Sequence, residues 1–175
     1  MYLRHLISIV FFLTSLAGSS GAWAEPKQSC NGDVQLASQP RVNDFDCDLV
    51  TGNLLIGFTV NNVDSLSILT SVGGNLVISG APALDNLDGL ANLTSVAGDL
   101  TIAVNPALDN CQGIAPLLGW PSGPPNDGVG GVISIAGNGG AGCNSVEGIL
   151  ASVPEEAIAF GLPVWLLYEA NKSQP

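Results

Sequence analysis

The sequence predicts a mainly β protein, a right-handed parallel β-solenoid of about four to five coils with a short C-terminal helix. Three observations predict it. A similar five-residue segment recurs along the chain, its residues alternate in character, and leucines recur every third position between two of its copies. A period in the low twenties is typical of one solenoid coil.

The recurring segments are the predicted strands. They occupy residues 52–56, 74–78, 98–102 and 131–135, at spacings of 22, 24 and 33. Alternation points Leu76 and Ile78 to one side of a strand and Val77 to the other. Because this spacing offers no antiparallel partner, we expect the strands to stack in parallel, one per coil and about 4.8 Å apart.

The residues between the strands predict the interior and the corners. The third-position repeat should fill the core, and it comprises Leu84, Leu87, Leu90, Leu93 and Val96. Gly74 and Gly98 stand at the start of the repeated segments, just before their alternating residues, so we expect corners with positive φ there.

Two features distinguish the C-terminal part of the chain. The surplus residues before the fourth strand fall in 120–130, which is rich in proline and glycine and predicts a projecting loop. A short helix is expected over 144–152, capped by Asn144 or Ser145.

The termini predict export and a domain division. Residues 1–24 have the charged start, apolar run and Ala22-Trp23-Ala24 ending of a signal peptide. We expect one domain over 25–154 and a C-terminal tail over 155–175 that covers the sheet face or caps the last coil. No later segment is long enough for a membrane span, so the expected location is secreted, periplasmic or cell surface.

Composition excludes several classes of function. Without the signal peptide, three basic residues (Lys27, Arg41 and Lys172) stand against 15 acidic ones, which excludes nucleic acid as a partner. The single histidine, His5, lies in the signal, so His-dependent triads and His-ligated metals are excluded as well. We expect no cofactor.

The four cysteines predict disulfides. Cys30, Cys47, Cys111 and Cys143 form an even set in an exported chain, and three pairings are possible in principle. Their spacings of 17, 64 and 32 lack the close pairs of a zinc site.

One stretch carries a family resemblance. Residues 69–84, LTSVGGNLVISGAPAL, resemble the receptor L domain, a leucine-rich-repeat-like solenoid found in receptor ectodomains and in exported bacterial proteins, and the bacterial branch is the most similar. The likeness extends over about 30–152. It implies Cys30–Cys47 and Cys111–Cys143 disulfides at the two ends and supplies no catalytic residues.

Stacked carboxylates are the weak metal candidates. The repeat places Asp64 above Asp88 and Asp85 above Asp109, which could form a calcium edge or the acid pair of a polysaccharide-acting enzyme. Solvated turns are the favoured interpretation, because Asp and Asn suit such corners. A calcium-binding surface structural protein and a carboxylate enzyme remain the alternatives.

The outward side of the strands is the candidate binding face. Its predicted residues are Leu55, Val77, Thr101 and Ser134, with Trp120 from the loop. Uncharged exposed surfaces of this kind usually contact a partner. We therefore expect a non-enzymatic exported binding or structural module whose partner is a protein or a surface polymer outside the cytoplasm.

Overall fold

Two parallel β-sheets organise the chain in the computed structural model, which describes residues 28–122 and 128–154. The broad sheet contains, in spatial and chain order, β2 (Val34–Ser38), β4 (Leu54–Thr59), β6 (Leu76–Ser79), β8 (Leu100–Ala103) and β9 (Ile133–Ala136). The narrow sheet contains β1 (Ser29–Cys30), β3 (Leu49–Val50), β5 (Ser71–Val72) and β7 (Ser95–Val96). The prediction of a mainly β chain with parallel stacking is confirmed.

Up to β8, each winding of the chain passes through both sheets, whereas the segment before β9 contributes only an isolated bridge from Val129 to Val96. A narrow-sheet strand leads through a corner into a broad-sheet strand, and a turn returns the chain to the next narrow-sheet strand. The register is regular from β4 to β9, where Leu76 pairs with Leu54 on one side and with Leu100 on the other, whereas the pairing of β2 with β4 shifts between Leu36 and Ser38. Equivalent residues of successive windings therefore lie directly above one another.

The interior is a continuous apolar column. Leu54, Leu76 and Leu100 of the broad sheet have no exposed surface, and the same holds for Val50 and Val72 of the narrow sheet. The predicted third-position ladder is also fully buried, at Leu84, Leu87, Leu90, Leu93 and Val96. Since each buried leucine contributes about 2 kcal/mol, this column is the main stabilising feature of the fold.

Short 3₁₀ helices form the return turns. They span Asp64–Ile68, Asp88–Leu90 and Gln112–Ile114. An asparagine lies two residues before the first residue of each of these helices, and its Oδ1 accepts the backbone N–H of that first residue. These bonds join Asn62 to Asp64, Asn86 to Asp88 and Asn110 to Gln112, at 3.4, 3.1 and 3.0 Å.

Disulfides close both ends of the stack. Cys30 is bonded to Cys47 and Cys111 to Cys143, with Cα–Cα distances of 5.7 and 5.6 Å. These are the pairs that the family resemblance implied. The bonds tie the first narrow-sheet strand and the last winding to their neighbours.

The described part of the chain contains two short α-helices, one near each of its ends. Helix α1 (Gln39–Asn43) follows β2 directly and was not predicted. Helix α2 (Val146–Ser152) begins two residues later than the predicted 144–152. Of the two expected caps, Ser145 is the one used, because its Oγ accepts the Gly148 N–H at 3.0 Å.

The expected positive φ at Gly74 and Gly98 is wrong. Left-handed glycines among the described residues are Gly32, Gly80, Gly119 and Gly137. Glycine is required at position 74 by close approach instead, since a Cβ there would lie 2.6 Å from Asn53 Oδ1 and 2.9 Å from the Gly52 carbonyl carbon. Larger residues are therefore excluded from this corner by contact with the Asn53 side chain and the Gly52 backbone, and not by a left-handed φ.

Several predicted segments lie outside the described residues. These are the signal peptide over 1–24, the tail over 155–175 and the centre of the loop, 123–127. Within residues 28–122 and 128–154, no helix combines the length and hydrophobicity that crossing a bilayer requires.

Candidate functional site

The outward side of the broad sheet brings together four of the five predicted face residues. Leu55 pairs with Val77, Val77 with Thr101, and Thr101 with Ser134, so the four form one row across the sheet. Neighbours in such a row stand about 4.8 Å apart. A parallel row contains Gly57, Ser79, Ala103 and Ala136. We call the two rows together the outward face.

The outward face is uncharged and partly exposed. Leu55, Val77 and Thr101 are half-buried, and Ser134 is exposed. None of the five described strands of the broad sheet contains Asp, Glu, Lys or Arg. Since the whole chain is strongly acidic, this face differs in charge from the rest of the surface.

Small side chains keep one row of the outward face flat. A Cβ at Gly57 would collide with the Ser79 carbonyl oxygen, so this position accepts only glycine without a backbone shift. Ser79 and Ala103 follow it in register. A flat, regular surface suits contact with an extended or planar partner.

An amide ladder fixes the windings at the start of the broad-sheet strands. Asp33 Oδ1 accepts the Asn53 N–H, Asn53 Oδ1 accepts the Asn75 N–H, and Asn75 Oδ1 accepts the Asp99 N–H, each at 2.8 Å. Asp99 Oδ1 in turn accepts the Val132 N–H at 2.7 Å. Each side chain thereby holds the backbone of the next winding, which makes the outward face rigid.

Buried asparagines fix the opposite ends of the same strands. Asn105 has no exposed surface; its Oδ1 accepts the Ala81 N–H at 3.0 Å, and its Nδ2 donates to Ile78 O at 3.0 Å. Asn138 occupies the equivalent position one winding on and donates to Ile102 O and Cys143 O, at 3.0 and 2.7 Å. These bonds satisfy backbone groups that would otherwise be buried without partners.

Two exposed apolar side chains lie at the corner formed by the C-terminal ends of the broad-sheet strands, Phe58 within β4 and Val104 directly after β8. Phe58, Gly80, Val104 and Gly137 all have φ between 58° and 69° at this corner. Phe58 is 57% exposed and Val104 63% exposed. A left-handed conformation is unfavourable for a β-branched residue such as valine, and such strain concentrates at functional surfaces.

Three residues of this surface were not predicted from the sequence: Gln35, Phe58 and Val104. Gln35 pairs with Leu55 and extends the first row by one strand. The signal for it was present, because residues 32–36, GDVQL, repeat the pattern of 52–56, GNLLI. For Phe58 and Val104, the sequence offered a different clue: Gly80 and Gly137 stand at the equivalent place in other repeats.

Trp120 is not part of the outward face. It is half-buried against the apolar core, and its backbone N–H donates to Ala115 O at 3.0 Å. The chain rejoins the narrow sheet nearby, where Val129 bridges to Val96. The described ends of the loop therefore do not place Trp120 beside the predicted row.

The stacked aspartates form part of the turn network. Asp88 accepts from Asn110 Nδ2 at 3.3 and 3.2 Å, Asp85 Oδ1 accepts from Asn86 Nδ2 at 2.7 Å, and the Asp109 N–H donates to Asp85 O at 3.1 Å. Asp64 opens a 3₁₀ helix. Over the described part of the chain, no three His, Cys, Asp or Glu residues are grouped so as to hold a metal ion. No observation favours the calcium or carboxylate-enzyme alternative, and we propose neither.

Comparison with known family models gives a match over part of the chain. The sequence model of the family described as Receptor L domain matches residues 46–109. This match supports the receptor L-domain family. It is narrower than the expected likeness over about 30–152, and it covers Leu55, Val77 and Thr101 but not Ser134. Neither the comparison with curated proteins nor the comparison with solved structures gives a match.

Proposed function

We propose that the chain is a non-enzymatic exported module that binds a partner outside the cytoplasm through the outward face of its broad sheet. The partner is a protein or a surface polymer, and the loop over 120–130 contributes a second contact. The observation that carries the proposal is the uncharged row from Leu55 to Ser134 on a sheet held rigid at both strand ends.

The family match supports the binding role. Receptor L domains are ligand-binding domains without catalytic activity, and the matched segment includes most of the described outward face. The broad-sheet strands contain no charged residue, which suits binding better than catalysis, because acid–base chemistry requires titratable groups.

Export is part of the proposal. The two disulfides are consistent with an oxidising compartment. We assign residues 1–24 to a signal peptide, and we place the product in the periplasm, at the cell surface or in the medium. We further propose that it belongs to the bacterial exported branch of the family. In this proposal, residues 25–154 form a right-handed solenoid of about four to five coils.

Site-specific photo-cross-linking tests the binding role. A photoreactive amino acid at Thr101 should capture a partner in isolated host envelope, and excess unmodified chain should abolish the product. The matched control carries the same group at Ser95, an exposed small residue on the narrow sheet. Equal capture from both positions, or no competable product from Thr101, would contradict the proposal.

A further inference from the structure

The C-terminal end of the stack has unfinished apolar packing. Ile133 and Ile135 of β9 pair with Leu100 and Ile102 of β8, both of which are fully buried. The two isoleucines are only half-buried, although register makes them core residues. Val132, immediately before them, is 70% exposed.

Incomplete packing concentrates at this end of the molecule. Among residues 28–122 and 128–154, eight apolar or cysteine residues pack against the core while remaining partly exposed, and six of them belong to the last winding or the segment leading into it. These six are Trp120, Val129, Ile133, Ile135, Val146 and Leu150. Among the described strands, β9 pairs only with β8, and no described strand pairs with its other edge, which we call the open edge. Apolar surface and an open strand edge together favour a covering segment.

We propose that residues 155–175 of the same chain cover this end by packing their apolar segment 160–168 against Ile133, Ile135 and the open edge of β9. The inference goes beyond the binding role and does not depend on it. It assigns the tail to the end of the stack and leaves the outward face free for a partner.

Length and composition identify the tail as the occupant. The described structure ends at Pro154, directly after Val153, which is buried in the core and follows helix α2; this helix contacts the Ala141–Cys143 turn after β9. Twenty-one residues follow, and positions 160–168 read FGLPVWLLY, without a charge. The intervening residues 155–159 can span about 16 Å when extended. A tethered segment also competes well with free partners because its effective concentration is about millimolar.

The register of the strands indicates that the tail covers the end of the stack and not the outward face. Ile133 and Ile135 occupy positions that are fully buried in the preceding winding, so covering them completes a core. The row that contains Val77 and Thr101 lies on the surface in every winding, and these two residues are half-buried. The gain from burial is therefore larger at the end of the stack.

Cysteine footprinting of the full chain tests the assignment. The described chain has no free cysteine, so Ile135→Cys and Thr101→Cys each introduce one thiol, the first at the end of the stack and the second on the outward face. Alkylation of the thiol at position 135 should accelerate about tenfold or more when Trp165→Asp and Leu166→Asp are added, because the tail then leaves the end. Alkylation at position 101 should not change.

Three outcomes overturn the proposal: an unchanged rate at position 135, acceleration at position 101 instead, or protection of position 135 that is lost on dilution. The last would identify a second copy of the chain as the cover. If the tail variant fails to fold, a photoreactive group at Val132 of the otherwise unaltered chain gives the answer. Its products should join residue 132 to 155–175 of the same chain, and products only with other chains, or none, would contradict the assignment.

Discussion

Asn75 illustrates how one side chain can join two windings. Its backbone N–H donates to Asn53 Oδ1 below, and its own Oδ1 accepts the Asp99 N–H above, both at 2.8 Å. The side chain thus replaces a backbone partner at a corner where the sheet ladder has not yet begun. Asp33, Asn53 and Asp99 repeat the arrangement in their own windings.

Replacing this side chain should therefore weaken the stack. We expect Asn75→Ala to lower the free energy of unfolding by about 0.5–1.5 kcal/mol, because the Asp99 N–H loses its acceptor. Urea denaturation measures the effect. Ser95→Ala, on the exposed side of the narrow sheet, should change the value by less than about 0.5 kcal/mol. Equal effects from the two variants would show that the ladder adds no stability.

Val104, in contrast to Asn75, has a side chain that destabilises the backbone conformation of its own residue. Its φ of 58° lies in the left-handed region, and Gly80 has the equivalent place one winding earlier. Relief of strain should outweigh the entropic cost of glycine, so Val104→Gly should raise the free energy of unfolding by up to about 1 kcal/mol. Val132→Gly, at an exposed position without positive φ, should lower it. A loss of stability in Val104→Gly, measured by the same urea denaturation, would contradict this account of the corner.

At the scale of elements, the repeat predicted strands that carry the full pattern of a glycine, an amide or acid, and then alternating residues. Strands β6 and β8 follow a glycine and an amide or acid, then alternate, and both were expected. Strand β2 carries the same pattern but was missed, because it leads into helix α1 instead of another repeat. The narrow-sheet strands have two residues each, too few for alternation to be visible in sequence.

The amide ladder could not be predicted for a different reason. Its bonds join residues 20 to 33 positions apart, so they depend on knowing which windings are in contact and in which register. The outward face needed only the alternation within each strand, which explains why Leu55, Val77, Thr101 and Ser134 were identified and Phe58 was not.

The Cys111–Cys143 disulfide is the element that holds the last winding. It closes a separation of 32 residues that includes the long loop. Cys111→Ala with Cys143→Ala should lower the free energy of unfolding by about 3–4 kcal/mol, since the unfolded chain regains the entropy of that loop. Thermal unfolding under identical conditions measures the change. An unchanged midpoint would mean that packing alone secures this end.

At the scale of the whole molecule, charge is distributed unevenly. The sequence carries a formal net charge of −11, and Arg41 is the sole Lys or Arg among residues 28–122 and 128–154. The broad-sheet strands nevertheless contain no charged residue. Like charges on an acidic surface repel other copies of the molecule, whereas the uncharged sheet can be desolvated at low cost.

The central claim is that this uncharged sheet is the binding surface, and affinity for the captured partner tests it most directly. Thr101→Arg places a long charged side chain in the middle of the row, while Ser95→Arg adds the same charge to the narrow sheet. We predict that Thr101→Arg weakens binding about tenfold or more, because the charge must be desolvated on contact, and that Ser95→Arg binds as the unaltered chain does. Unchanged affinity in a folded Thr101→Arg variant, or equal loss in both variants, would contradict the claim.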